Sequence, residues 1–245
     1  MVALLGETFR LLGAHLYVFT LISLTVWLPA HVVRNYLEFF ASPEDSAIQS
    51  LRLVLTVQAI FDPLVVSATL SVLGRITQGL PVGYAAAMLE GLAAWGRLFV
   101  VRFIVNCAVA LPALGILGIG SSGPGSVAAG LLLLVVAVLV LVLLVRFAVV
   151  DAVVVLEGAN ALTAWRRAAQ LTVGRRWLIA RTVAALFALI LGGTLVFGQA
   201  LKIAPELNHF VVRVLADCVI AVSQSLFTIA LFLVYWRARA ETVRA

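Results

Sequence analysis

The sequence predicts an all-α membrane protein, a polytopic bundle of about six transmembrane helices. Of its 245 residues, 64% are hydrophobic and only 11% are charged, and a water-soluble globule of this size cannot bury so large an apolar fraction. An α-helix of roughly 20 apolar residues crosses a hydrocarbon core about 30 Å thick. The strands of a membrane β-barrel would instead alternate polar and apolar residues, which these stretches do not do. The six apolar stretches are Leu16–Val33, Leu51–Gly74, Leu98–Ile119, Val127–Val145, Leu178–Phe197 and Phe210–Trp236.

Basic residues near the ends of these spans predict that both termini are cytoplasmic. With that orientation, Arg102 and most of the 17 lysines and arginines face the cytoplasm. The net charge of +6 then reflects topology and attraction to anionic inner-leaflet headgroups, and we expect no nucleic-acid partner. Four residues are left outside: Arg34, Arg52, Lys202 and Arg213. Four tryptophans fall near the inner boundary, as in an aromatic belt: Trp95, Trp165, Trp177 and Trp236.

A weak internal repeat predicts that the bundle is built from three hairpin units, each preceded by a cytoplasmic amphipathic helix. Sliding the sequence so that Gly79 falls on Gly158 also places Arg97 on Arg176, which matches the segments before spans three and five. The alternative to a true repeat is that Ala, Leu and Arg, which are common near membrane boundaries, coincide by chance. Together the units form a single membrane domain over residues 1–245, and they cover residues 1–78, 79–157 and 158–245.

The segment Asn160–Val173 predicts an amphipathic interfacial helix, with Asn160 as its N-cap and Gly174 as its stop. One side is expected to carry Leu162, Trp165, Ala168, Ala169 and Leu171. The basic and aromatic residues around it are candidate lipid-headgroup contacts, or alternatively simple topological anchors. These candidates are Arg166, Arg167, Arg175, Arg176, Trp165 and Trp177.

The stretch Arg146–Ala180 resembles the membrane domain associated with some bacterial glycerophosphodiester phosphodiesterases and related six-span inner-membrane proteins. The resemblance is carried by an acidic residue and glycine after a span, a helix rich in Ala and Arg, and a basic-aromatic re-entry. The matching residues are Glu157, Gly158, Leu171, Thr172, Gly174, Arg175, Arg176 and Trp177. The resemblance implies a bacterial inner-membrane module with a lipid or envelope role. We expect no phosphodiesterase domain after Trp236 and transfer no hydrolytic activity.

Charged side chains within the spans mark a candidate intramembrane polar site, because each costs at least about 2.5–3.5 kcal/mol near the centre of a bilayer. Asp62 lies in span two, next to Pro63 and one turn after Gln58, and has no evident local partner. Asp217 lies in span six, where Arg213 is one turn away and is expected to neutralise it. The two acids either flank a transport path or hold the bundle together.

Spans two and six are also the most polar, which predicts that they face the interior of the bundle. Span four, in contrast, carries no polar side chain. The polar residues of spans two and six are Thr56, Ser67, Ser71, Ser223, Gln224, Ser225 and Thr228.

The sequence carries no motif that predicts catalysis, a cofactor or a metal. A Gly-x-Ser-Gly pattern at Gly120–Gly123 has no histidine base nearby, and the three histidines are scattered. We therefore expect a non-enzymatic membrane protein in lipid or envelope homeostasis, or an accessory module with protein partners in the membrane. The alternative is a transporter or permease component for a small molecule, ion or lipid, using spans two and six.

Overall fold

All the elements that the structure describes are helices, which confirms the predicted all-α class for that part of the chain. This computed structural model describes residues 1–40, 43–120, 134–135, 142–143, 145–204, 206 and 208–244. The helices are α1 (Val2–Ala14), α2 (Leu16–Phe40), α3 (Pro43–Thr77), α4 (Tyr84–Gly120), α5 (Val150–Leu156), α6 (Ala161–Leu171), α7 (Arg176–Ile203) and α8 (Phe210–Arg244).

Four helical segments in the described part of the chain are long and apolar enough to cross a membrane. They are Leu16–Phe40 in α2, Thr56–Thr77 in α3, Arg176–Ile203 in α7 and Phe210–Thr242 in α8. The predicted third span falls within α4. Most of the predicted fourth span, Val127–Val145, lies outside the described residues, as does most of the Gly120–Gly123 motif.

Burial separates the four apolar segments into two classes. In α3 and α8, 61% and 56% of the most apolar window is buried, against 22% in α2 and 17% in α7. Ser67, Ser71 and Ser225 lie inside the bundle, whereas Thr56 and Gln224 are exposed. The prediction that spans two and six face inward is therefore confirmed in part.

Helix α3 is central, because it contacts α2, α4, α5 and α8. Its approach to α4 is closest at Gly91, whose carbonyl accepts a hydrogen bond from Ser67 Oγ at 2.8 Å. A Cβ atom on Gly91 would lie 2.7 Å from the backbone nitrogen of Ala68. Only glycine permits this helix separation, and small residues at such crossings are typical of membrane bundles.

Glycines with positive φ follow the ends of α3, α5 and α6, where a left-handed residue closes the helix at little steric cost. They are Gly79 (φ 69°), Gly158 (φ 67°) and Gly174 (φ 75°). The predicted stop at Gly174 is thus confirmed. Asn160 occupies the N-cap position of α6 with an extended backbone but makes no side-chain capping bond.

The predicted apolar face of α6 is partly wrong. Leu162 is 70% exposed, whereas Ala164, Ala168 and Leu171 are buried. The buried positions are spaced by one turn and face α5, and the short alanine side chains let the two helices approach. Leu162 instead lies on the outer surface of the helix.

Candidate functional site

A cavity of about 880 Å³ lies among α3, α4, α5, α6, α7 and α8. Most of its wall is apolar, and its ionisable side chains come from three different helices. Asp62 is on α3, Arg102 is on α4 and Asp151 is in the first turn of α5. Gln58 and Asn106 add amide groups to the same wall.

Arg102 joins the two aspartates in one ion cluster. Its Nη1 donates to Asp62 Oδ2, while Nη2 and Nε donate to Asp151 Oδ2 at 2.6 and 3.2 Å. Each of the three side chains is roughly a quarter exposed, and all three line the cavity. Charge-assisted hydrogen bonds of this kind offset the cost of removing charges from water.

The cluster lies well away from the end of the helical hairpin formed by α3 and α4. Near that end, Arg75 on α3 pairs with Glu90 on α4 at 2.6 Å. At 1.5 Å per residue, Asp62 is about 20 Å along α3 from Arg75, and Arg102 is about 18 Å along α4 from Glu90. The ion cluster is thus several helical turns away from the turn that joins α3 and α4.

Asp62 has no local partner among the described residues, as expected, but it pairs with Arg102, which lies 40 residues away in the chain on the neighbouring helix. Arg102 thereby joins two aspartates in the cavity wall. Asp151 was missed altogether, although an acid immediately after an apolar run and an arginine within another are complementary charges that could have suggested the pair.

The residues around Pro63 also differ from expectation. Helix α3 continues through Pro63, and the indole Nε1 of Trp95 donates to the Ile60 carbonyl at 2.8 Å. Trp95 was predicted to lie at headgroup level, but its polar atom is bonded to the neighbouring helix. Gln58, one turn before Asp62, is exposed to the cavity as part of its wall.

Asp217 belongs to a second cluster, between α2 and α8. Asn35 Nδ2 donates to Asp217 Oδ2 at 2.8 Å, and Arg34 Nη1 and His31 Nδ1 each lie 3.9 Å from the same oxygen. Arg213 lies instead beside Glu38, with 3.8 Å between Nη1 and Oε2. The expected neutralisation of Asp217 by Arg213 is replaced by contacts from α2.

The intramembrane candidates thus divide into two groups. Asp62 and Gln58 line the cavity. Asp217 and Arg213 lie in contacts between α2 and α8. The structure does not bring the four residues together around one path.

The lipid-headgroup candidates also divide. Arg166, Arg176 and Trp177 are exposed, whereas Arg167 lies 3.7 Å from Glu157 and Arg175 is paired with Glu241. We call these three exposed residues the α6–α7 surface. The guanidinium of Arg181 lies 6.0 Å from the Trp177 ring centroid, close enough for a cation–π contact.

Trp165 faces inward rather than towards headgroups. It lines the cavity, and its ring centroid is 6.2 Å from that of Phe147. Its Nε1 atom is buried and has no hydrogen-bond partner in the part of the chain that the structure describes. A buried indole N–H usually has a partner, which makes this donor an exception among the described residues.

Among residues with described positions, no group of three or more His, Cys, Asp or Glu side chains could hold a metal ion. Comparison of the chain with protein-family models, curated proteins and solved structures finds no match.

Proposed function

We propose that this chain is a non-enzymatic membrane protein that binds an amphipathic, lipid-like molecule in the cavity around Asp62, Arg102 and Asp151. The observation that carries the proposal is the combination of a large, mostly apolar cavity with a charged cluster in its wall. Ligand sites of about 300–1,000 Å³ typically have this composition, in which apolar walls hold the body of the ligand and a few polar groups orient it.

The position of the charges also favours binding over a purely structural role. Ionisable groups within a membrane are costly and usually face protein or a polar cavity. An ion cluster that served only to join helices would stabilise the fold most if it were completely buried and every polar atom had a hydrogen-bond partner. Here all three side chains remain partly exposed, and the exposed parts face the cavity.

For the membrane arrangement, we propose six spans in the bacterial inner membrane with both termini cytoplasmic. The four apolar segments, the excess of arginine near the predicted inner ends of the spans, and the resemblance of Arg146–Ala180 support this topology. The exposed α6–α7 surface then lies at the inner leaflet, where its arginines contact anionic headgroups at about 1 kcal/mol each.

The three-unit arrangement is supported by ion pairs that join the end of each unit to the amphipathic helix of the next. Arg75 pairs with Glu90, and Glu157 pairs with Arg167. Arg237, at the end of the third unit, pairs with Glu7 in the first. We propose that the three hairpins form a closed ring in this way.

Transport along a path between Asp62 and Asp217 receives less support. The two acids have different partners on different helices, and Asp217 is not part of the cavity wall. Binding of a lipid-like molecule at the Asp62 cluster requires no such path and is therefore the function that we adopt.

Filling the cavity tests this function. Ala184 on α7 lines the cavity, and Ala188, one turn later, lies on the same helix outside the wall. We expect Ala184→Trp to reduce retention of the bound amphiphile because the indole fills part of the cavity. Mass spectrometry of lipids that co-purify in native membrane discs measures the retention.

The Ala188→Trp protein is the matched control and should keep the wild-type lipid profile. Thermal unfolding of both variants checks that they are folded. Equal lipid profiles for wild type and a folded Ala184→Trp protein would contradict the proposed function.

A further inference from the structure

We propose that the headgroup bound at the Asp62–Arg102–Asp151 cluster is an organic cation, an ammonium group carried on an apolar chain. This inference rests on the proposed function and adds the chemical class of the ligand. Three features of the cavity support it: the net charge of the cluster, the hydrogen bonds already made within the cluster, and the aromatic rings in the cavity wall.

The charge of the cluster favours a cation. Two carboxylates surround one guanidinium, so the cluster is formally negative by one charge when all three groups are ionised. In a site of low dielectric constant, such an imbalance is costly unless a further positive charge approaches. A bound ammonium group restores neutrality.

The hydrogen bonds within the cluster disfavour an anion. All three guanidinium nitrogens of Arg102 already donate to Asp62 or Asp151. Two of its five N–H groups lie outside these bonds, but the two carboxylates beside them repel a phosphate or carboxylate. The bonds from Arg102 end on the Oδ2 atom of each carboxylate. Both Oδ1 atoms lie outside these bonds, so their negative charge can attract a bound organic cation directly.

Aromatic rings complete the argument. Phe147, Trp165, Phe187 and Phe227 line the same cavity as the charged cluster. Faces of aromatic rings attract organic cations, and sites for substituted ammonium groups commonly combine such rings with a carboxylate. The rest of the apolar wall is suited to the chain that carries the headgroup.

Competition among three probes with the same chain tests the inference. The full-length protein is prepared in uncharged maltoside micelles with equimolar dodecyltrimethylammonium, dodecanol and dodecyl phosphate, and native mass spectrometry measures which probe stays bound. We expect wild type to retain the ammonium probe at least about tenfold over each of the others.

Two variants that remove one carboxylate, Asp151→Asn and Asp62→Asn, should each lose this preference while still retaining dodecanol. The Glu90→Gln protein removes a carboxylate outside the cavity wall and should keep the wild-type preference. Retention of dodecanol reports that a variant is folded with its cavity intact.

The outcomes separate the two proposals. If wild type retains none of the probes, the proposed function fails together with the inference. If wild type retains the three probes equally or prefers dodecyl phosphate, the cavity binds amphiphiles but the inference is wrong. An ammonium preference that survives both carboxylate variants also overturns it.

Discussion

Replacing Arg102 with methionine is expected to destabilise the protein by about 3–5 kcal/mol, because it leaves two interior carboxylates without their shared cation. Asp62 and Asp151 both depend on the guanidinium of Arg102 for ionic contacts. Methionine preserves much of the side-chain length, so the loss arises mainly from charge rather than from volume. Equilibrium unfolding in mixed micelles measures the change in free energy.

The matched control is Arg97→Met, which removes an exposed arginine from the same helix. We expect it to change stability by less than about 1 kcal/mol. Adding Asp62→Asn and Asp151→Asn to the Arg102→Met protein should recover most of the loss, because no unpaired charge remains. A triple variant no more stable than the single one would show that the cluster is not electrostatically coupled.

Replacing Asn35 with leucine is expected to cost about 1.5–3 kcal/mol, the range for a hydrogen bond to a charged group. Asn35 is buried, and its Nδ2 donates both to Asp217 Oδ2 at 2.8 Å and to the His31 carbonyl at 2.9 Å. Without it, the carboxylate loses its closest donor across the α2–α8 contact. Unfolding in the same micelles measures the effect.

Arg34→Gln is the control for this second prediction, since Arg34 lies 3.9 Å from Asp217 and is about one third exposed. A partly solvated pair at that distance contributes about 0–1 kcal/mol. A double-mutant cycle of Asn35→Leu with Asp217→Asn should give a clear coupling energy. If Asn35→Leu costs no more than Arg34→Gln, the carboxylate does not depend on the amide.

Local and compositional features of the fold were readable from the sequence. Polar residues in an apolar span, such as Ser67 and Ser225, predicted the inward faces of α3 and α8, because a hydroxyl group in lipid is costlier than one against protein. A glycine after an amphipathic segment predicted the end of α6, since Gly174 adopts the left-handed conformation that stops a helix.

Only part of the candidate site could be predicted from the sequence, because its ion pairs join residues that are far apart in the chain. Asp62 was identified from its position in an apolar span, but nothing local indicates that Arg102 reaches it from another helix. The count of arginines placed Arg102 on the cytoplasmic side and does not indicate its partners. The role of Asp151 depends on how α5 packs against α4.

The face of α6 shows a related limit. Hydrophobicity alone predicted that Leu162 is buried, whereas in the structure Ala164 is buried and Leu162 is exposed. Close contact between helices favours small side chains over large apolar ones. At a membrane surface, a large apolar side chain also has the lipid as a favourable environment.

Site-specific photocrosslinking in native membranes tests most directly whether the cavity around Arg102 is an amphiphile-binding site. A photoreactive amino acid replaces Val183, which lines the cavity, or Val196, which is 71% exposed on the same helix. Mass spectrometry then identifies the adducts at each position. We predict that position 183 captures one class of amphiphile out of proportion to its abundance, while position 196 samples bulk lipid. The same adduct distribution at both positions would contradict the proposed binding site.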